Sequence, residues 1–373
     1  MRHKLEFPFY AQLAFILISL SVIFTFLYLA QGILIPILLA LLFAILLRPV
    51  VCFFNRRLKF PHVIAVMASV VVFVMVIGGI IFFVSWKISD MASDLDQIKT
   101  NLNIHYHNIQ HWIKQKFDIS YTQQQRYIQQ ASKENIHGSE IIGATMGSFT
   151  DVLLNFVLIP IYIFLFLLYR NLFLQFLSKL FKAEHQFKLR EILTHVKTAI
   201  QSYLVGLLTE VLIVSTLTSV GFMIIGVQYP ILLGVITGVL NMIPYIGILV
   251  AGGISILATL TSTADVSVIL GVVTVNAVVQ LIDNNLLVPL VVSSKVKINA
   301  FVSIVAIIIG GALGGVAGMF LAIPLIAIIK VVFDRIESFE PWGFLMGDDL
   351  PKVYKWGGIK LTHYDAGDAK EEK

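Results

Sequence analysis

Two acidic residues, Glu210 and Asp283, stand within apolar stretches of the sequence, GLLTEVLIVS and QLIDNNLL. A charged carboxylate at the centre of a bilayer costs about 2.5 to 3.5 kcal/mol on insertion scales, so a proton, a cation or a polar solute should compensate each acid. Gln280, Asn284 and Asn285 flank Asp283 and add hydrogen-bonding groups. We predict that these five side chains line a path for a solute or an ion. The alternatives are that Asp283 marks a helix end at the headgroups and that Glu210 lies near the interface.

The segment NMIPYIG interrupts an apolar run, Tyr229 to Leu260, that contains no charged residue. The run is too long for one comfortable span, which takes about 20 residues, and too short for two. Pro244 removes an amide donor and Gly247 permits unusual backbone conformations, while Asn241 and Tyr245 offer hydrogen bonds beside the freed carbonyls. Non-helical backbone at membrane depth is tolerated only where protein or a water-filled cavity surrounds it. We therefore predict that these four residues contribute to the same path.

A second apolar run, Ala300 to Val332, has the glycine-rich centre GGALGG. Gly310, Gly311, Gly314 and Gly315 could interrupt the helix and line the path. The same spacing also suits close packing between helices. Both interpretations remain open, and they are compatible with each other.

Basic residues indicate how the two interrupted runs are threaded through the membrane. If both runs were simple spans, Lys295 and Lys297 would emerge outside. If both turn back, these lysines lie inside together with Lys330 and Arg335, as the preference of basic residues for the cytoplasmic side requires. The distribution favours two re-entrant hairpins, with kinked and tilted spans as the alternative.

The composition assigns the chain to the membrane. Hydrophobic residues make up 58% and charged residues 13%, against about 25% charged in soluble domains. The net charge of +5 follows from basic cytoplasmic loops and needs no nucleic-acid partner. The one cysteine, Cys52, cannot form an intramolecular disulfide.

Apolar runs separated by polar loops predict an all-α polytopic membrane protein with about eight membrane segments. They are about Tyr10–Leu29, Ile33–Phe54, His62–Trp86, Phe149–Tyr169, Tyr203–Val227, Tyr229–Leu260, Val266–Leu281 and Ala300–Val332. The basic residues around the first hairpin place both of its ends in the cytoplasm, and the basic loops together predict cytoplasmic N- and C-termini.

This pattern divides the chain into five regions. They are three transmembrane helices at 1–86, a small polar helical extracytoplasmic insert at 87–148, the fourth transmembrane helix with a basic amphipathic cytoplasmic segment at 149–202, a transport core with the two broken helices at 203–335, and a cytoplasmic tail at 336–373.

Sequence signals for an enzyme are absent. There is no GxxxxGK[ST] phosphate loop, no HExxH zinc motif and no GxSxG nucleophile elbow. His107 and His111 have the spacing of a shared metal site, but no carboxylate or cysteine completes a ligand set, and a solvated helix face is the favoured interpretation. We predict no enzymatic activity, no cofactor and no bound metal.

Several stretches, in their order along the chain, resemble the autoinducer-2 exporter family of permease-like bacterial membrane proteins. They are IPILLALLFAILLRPVVCFFNRRLKFPHVIAV from Ile35, YLVG from Tyr203, NMIPYIG, QLIDNNLLVPLVV and GGALGGVAGMFLAIPLIAIIKVV from Gly310. The resemblance covers nearly the whole chain. It implies about eight membrane segments, an inner-membrane location, homo-oligomers and export of small solutes, while some members are credited with sodium or proton antiport. Ile248 stands where the family commonly has a proline.

The residues and the resemblance together predict a multi-pass permease of the bacterial inner membrane, secondary-active or facilitative. Its partners would be the lipid bilayer, a small polar solute or signalling molecule, a sodium ion or proton, and further copies of itself. A sodium or proton antiporter of the same family and a non-transporting membrane scaffold are the alternatives.

Overall fold

The computed structural model describes residues 8–93, 95–126, 157–243, 246–292 and 297–348. Pro244, Tyr245, the insert beyond residue 126 and the tail from 349 onward lie outside the described residues. Within the described ranges the regular structure is entirely helical, as the sequence predicted.

The helices are numbered in chain order. They are α1 Phe9–Leu29, α2 Gln31–Arg57, α3 His62–Ser93, α4 Leu95–Phe117, α5 Val157–Leu168, α6 Arg170–Leu180, α7 Gln186–Ile224, α8 Pro230–Asn241, α9 Ile246–Ser262, α10 Val266–Ile282, α11 Ala300–Phe333 and α12 Glu340–Met346. A π-helical stretch, Asp283–Val292, continues α10 directly.

Six helices of the described chain are long and apolar enough to cross a membrane, or seven if α5 and α6, which meet at 65°, form one bent span. The short apolar helices α8 and α9 add one further pair. The predicted all-α polytopic fold is therefore confirmed. The helix α1 has no buried residue, so its apolar surface is free to face lipid.

The two ends of the long helix α7 define two sides of the molecule. Near its start, Glu191 pairs with Arg335 Nε at 3.4 Å, just after α11. Near its end, Phe222 is packed in a buried cluster that Met91 of α3 also contacts. We call the Glu191 end the base side and the opposite end, where α4 lies, the insert side.

The helices α8 and α9 form the first hairpin. Leu233 of α8 and Ala258 of α9 belong to the same buried cluster, which requires the chain to fold back between them. The turn is closed by a hydrogen bond from Gly247 N to Ile243 O of 2.9 Å. At the mouth of the hairpin, Asn101 Nδ2 of α4 donates to Thr261 O at 3.0 Å. The hairpin thus opens toward the insert side and its tip points inward.

The helix α11 is the second hairpin, because its two halves lie against each other. Gly314 (φ −148°, ψ 20°) and Gly315 (φ 55°, ψ −141°) leave the helical conformation at its centre. Gly310 and Gly318 would be about 12 Å apart in a straight helix. A methyl group at Gly310 would instead lie 2.9 Å from the carbonyl carbon of Gly318. The positive φ of Gly315 is a conformation that glycine adopts without strain.

The open end of this second hairpin is tied together on the base side. Asn299, which precedes α11, donates its backbone N–H to Met346 O at 3.0 Å. Its side chain donates to Leu345 O at 2.7 Å and caps α11 by accepting from Val302 N at 2.8 Å. The two predicted interrupted runs therefore both fold back, and they enter from opposite sides of the protein.

Candidate functional site

The tip of the first hairpin meets two acids. Asn241, the last residue of α8, donates through Nδ2 to Glu210 Oε1 at 2.8 Å and to Asp283 Oδ2 at 3.0 Å. Glu210 comes from α7 and Asp283 from the junction of α10 with the π-helical stretch. The sequence predicted all three residues as part of one path, and the structure brings them into direct contact.

Close packing of α8 on α7 holds Asn241 at this place. Gly234 and Gly238 face Ser219 and Ser215 of α7, and a methyl group at either glycine would collide with the facing serine hydroxyl. Small residues four apart let two helices approach closely. Asn241 follows Gly238 by less than one turn and so lies against the next part of α7, where Glu210 stands.

The two carboxyl groups are buried and close to each other. Glu210 is 5% exposed and Asp283 3% exposed. Since one nitrogen lies within 3.0 Å of an oxygen of each acid, their charges interact directly. Among the described residues neither acid forms an ion pair with a basic side chain, and Asp283 Oδ1 is buried without a hydrogen-bond partner. Such a pair is suited to take up a proton or a cation.

The amides near Asp283 in sequence do not join it in space. Gln280 Nε2 donates to Asn284 Oδ1 at 3.0 Å, and Asn285 Nδ2 donates to Leu281 O at 2.8 Å, all on an exposed surface. Neighbouring residues of a helix point about 100° apart, so only Asp283 of this group faces Glu210.

Of the four predicted glycines of α11, Gly310 and Gly311 lie in the seam of the second hairpin, and Gly314 and Gly315 form its turn. Gly310 packs on the backbone of Gly318, Gly311 on Met319, and Gly314 on Ile35 of α2. These contacts are the close packing that the sequence offered as the alternative use of the glycines. A role of Gly310, Gly311, Gly314 and Gly315 in a solute path stays a prediction.

The glycine at the first tip has a different contact. A methyl group at Gly247 would lie 2.5 Å from the carbonyl carbon of Leu240 and 3.0 Å from Asn241 N. Gly247 therefore allows the backbone of α9 to touch the residue that holds the two acids. Pro244 and Tyr245, predicted beside it, lie outside the described residues.

Sequence reasoning missed three polar atoms that are buried without a hydrogen-bond partner in the described helices around the first hairpin: Thr218 Oγ1, Ser255 Oγ and Asn276 Nδ2. One signal was available, since Thr218 follows Glu210 by two steps of four residues, and residues four apart are neighbours on a helix face.

Known proteins resemble the chain over most or part of its length. The sequence profile of the "AI-2E family transporter" matches residues 17–338. "Putative transport protein YueF" of Bacillus subtilis is 26% identical over 81% of this chain and 83% of its own. "Putative transport protein YhhT" of Escherichia coli K12 is 24% identical over 90% of this chain and 94% of its own. "Putative permease PerM" of Escherichia coli K12 is 30% identical over 36% of this chain and 38% of its own.

The family match covers the membrane helices, both hairpins and all three residues that meet at the first tip. Together with the multi-pass helical fold, it shows that this protein belongs to the AI-2E transporter family, a family of membrane transporters and not of enzymes.

Proposed function

We propose that this protein is a permease that exports a small polar solute or signalling molecule across the bacterial inner membrane, coupled to a sodium ion or proton bound at Glu210 and Asp283. The observation that carries the proposal is the bridge from Asn241 Nδ2 to both carboxyl groups, at 2.8 and 3.0 Å. It links a charge-binding site to the tip of a hairpin that breaks the membrane helix.

The bridge gives a physical reason for coupling. With both acids ionised, the amide of Asn241 is the donor they share, and their mutual repulsion favours uptake of a positive charge. A proton or sodium ion bound between the carboxylates would weaken the pull on Asn241 and release the tip of α8. Occupancy of the site would therefore change which side of the hairpin a solute can reach.

The surface of the chain fits the remaining parts of the proposal. The α2 helix ends in Arg56 and Arg57, and the preference of basic residues for the inner face supports a cytoplasmic location for that end and for both termini. The exposed amides of Gln280, Asn284 and Asn285 lie on a membrane helix, and polar side chains there are typical of contacts between helices. This surface supports a homo-oligomer.

The test is flux in proteoliposomes that contain the purified protein, with imposed sodium or pH gradients and a panel of polar metabolites. Glu210→Gln and Asp283→Asn keep the shape and remove the charge, and each should lower flux at least tenfold with unchanged expression and oligomer size. Glu191→Gln is the matched control, because Glu191 lies on the same helix with its side chain 45% exposed. Wild-type flux in both site variants would refute the assignment.

Sodium–proton antiport without an organic solute is the second candidate. It is favoured because the three residues that meet at the tip are two carboxyl groups and one amide, a set that suits a small cation. A sodium gradient alone should then acidify or alkalinise the vesicle lumen. Absence of every flux, with an intact and folded protein, would instead support a non-transporting scaffold.

A further inference from the structure

Three polar atoms in the core of the hairpin region have no hydrogen-bond partner among the described residues: Thr218 Oγ1 on α7, Ser255 Oγ on α9 and Asn276 Nδ2 on α10. Thr218 is 0% and Ser255 1% exposed. Leaving a buried polar group unsatisfied costs about 1 to 3 kcal/mol. Three such groups in one region are therefore expensive for a purely structural core.

The three groups lie at one depth. Thr218 follows Glu210 by eight residues along α7, and Asn276 precedes Asp283 by seven along α10. At 1.5 Å per residue, both stand about 10 to 12 Å from the two acids, toward the insert side.

Ser255 reaches the same depth on the third helix. It follows Gly247 by eight residues along α9, and Gly247 packs against the backbone of Leu240 and Asn241 at the level of the acids. The helical rise again gives about 12 Å toward the insert side.

The three side chains also face the same interior. One helical turn further toward the insert side, Phe222, Ala258 and Val272 pack in a single buried cluster. Phe222 follows Thr218 by four residues, Ala258 follows Ser255 by three, and Val272 precedes Asn276 by four. Residues three or four apart share a helix face, so the polar groups lie beneath this cluster and face the interior enclosed by α7, α8, α9 and α10; Leu233 of α8 belongs to the same cluster.

A second apolar layer separates the polar groups from the acids. Val214 and Val279 belong to one buried cluster, and each stands four residues from its acid along the helix. From the insert side inward the order is an apolar layer, the polar layer, the Val214–Val279 layer, and then Glu210, Asn241 and Asp283.

We propose that Thr218, Ser255 and Asn276 form a second binding site, which holds a hydrated sodium ion between the insert side and the acids. That this site lies on the path of a transported ion rests on the proposed function. The water shell of a cation points its hydrogens outward, and the hydroxyl oxygens of Thr218 and Ser255 can accept hydrogen bonds from it, while the amide NH₂ of Asn276 can donate to a further water at the edge of the site. Such groups hold an ion through its water shell. Because none carries a charge, the ion binds weakly and passes on, as conduction through successive sites requires. Phe222, Ala258 and Val272 close the site toward the insert side.

Cysteine accessibility tests the site without knowledge of the solute. In a Cys52→Ser background, Ser255→Cys and Thr218→Cys are treated with a membrane-impermeant thiol reagent from each side of oriented vesicles. Val220→Cys is the matched control, because Val220 lies at nearly the same depth of α7 but is 48% exposed on its outer surface. A thiol in hydrocarbon stays protonated and unreactive, whereas a thiol in water can ionise and react.

We expect at least one of the two site cysteines to react from the insert side at least tenfold faster than Val220→Cys. Sodium chloride should slow that reaction at least threefold relative to an equal concentration of N-methylglucamine chloride. Phe222→Ala should speed it by opening the outer apolar layer. Size-exclusion profiles establish that each variant is folded. If one of the two cysteine variants does not fold, the labelling result is taken from the other.

Unreactive cysteines at both positions in folded protein would overturn the site. Reaction that sodium does not slow would overturn the cation site and leave only a water-filled space. If the acids are not the transport site, Glu210→Gln will have wild-type flux. That result would refute the proposed function and would leave the labelling result unchanged. Thr218→Val, which removes the hydroxyl at nearly constant shape, should lower sodium-coupled flux severalfold.

Discussion

The contact of Gly247 with the backbone of Leu240 predicts that a single methyl group at this position disturbs the binding site. A Cβ atom on Gly247 would lie 2.5 Å from the carbonyl carbon of Leu240 and 3.0 Å from Asn241 N. The obstacle is backbone, so no side-chain rotation relieves it. Either α9 or the last turn of α8 must move, and Asn241 moves with that turn.

Two opposing contributions set the stability of Gly247→Ala. Alanine is favoured over glycine inside a helix by about 1 kcal/mol, and overpacking costs about 1 to 3 kcal/mol. We expect a net loss of up to about 2 kcal/mol. The matched control is Gly252→Ala on the same helix, where nothing lies within 4 Å of the added methyl group. It should raise stability by up to about 1 kcal/mol.

Gly247→Ala should also impair transport, because the displaced turn carries Asn241 away from the acids. A shift that breaks one of the two Asn241 hydrogen bonds removes a contact to a charged group worth about 1.5 to 3 kcal/mol, which corresponds to roughly a tenfold to a hundredfold loss. Thermal unfolding in detergent and flux in proteoliposomes are measured on both variants. If Gly247→Ala matches Gly252→Ala in melting temperature and in flux, the close approach and its link to the site are wrong.

Three further predictions address the ends of the helices and the orientation of the chain. Hydrogen bonds from the side chain and backbone of Ser267 lower the pKa of Asp265, which caps α10 outside the membrane; Asp265→Ala should therefore lower the melting temperature at pH 7. Because the lowered pKa belongs to the folded state, the contribution of the Asp265 cap to stability is complete above the ordinary carboxyl pKa of about 3.9 and is lost as the pH falls below it. Asp265→Asn should cap the helix without this pH dependence. Asn299→Ala removes the cap of α11 and the hydrogen bonds of Asn299 to the chain near α12, so we expect about 2 to 4 kcal/mol of destabilisation by thermal unfolding. Asn299→Asp keeps the cap and should recover part of the loss. Equal melting temperatures for the alanine variant and wild type would contradict the contact between Asn299 and α12. Reporter fusions at Gln123 and at the C-terminus should report opposite compartments, and matching signals would overturn the proposed topology.

The two breaks were predictable because their causes are local. Proline and glycine act on the backbone of their own segment, so NMIPYIG and GGALGG mark interruptions wherever they stand in a membrane run. The sequence could also predict that both runs fold back, since the two lysines between them favoured hairpins. The turn at Gly315, with φ of 55°, is the position where glycine was needed.

The grouping of the polar side chains was less accessible from the sequence. Asn241 bonds to Glu210 and Asp283 across 31 and 42 residues of chain, and that pairing depends on the close packing of α8 on α7. Sequence proximity suggested that Gln280, Asn284 and Asn285 act with Asp283. Helical geometry instead turns them to the exposed surface, because adjacent helix residues point in different directions.

The first hairpin is attached to the rest of the protein at both of its ends, and this restricts how it can move. At its tip, Asn241 bonds to the two acids. At its mouth, α9 ends with carbonyl groups that no further helical turn can satisfy, and two side chains of α4 bond to carbonyls there: Asn101 Nδ2 donates to Thr261 O at 3.0 Å and His105 Nε2 lies 2.8 Å from Thr263 O. Any displacement of the hairpin must therefore break these two bonds or carry α4 with it. The helix α4, at the start of the polar insert, is thus mechanically connected to the acids on the far end of the hairpin, although no residue of α4 lies in the membrane runs.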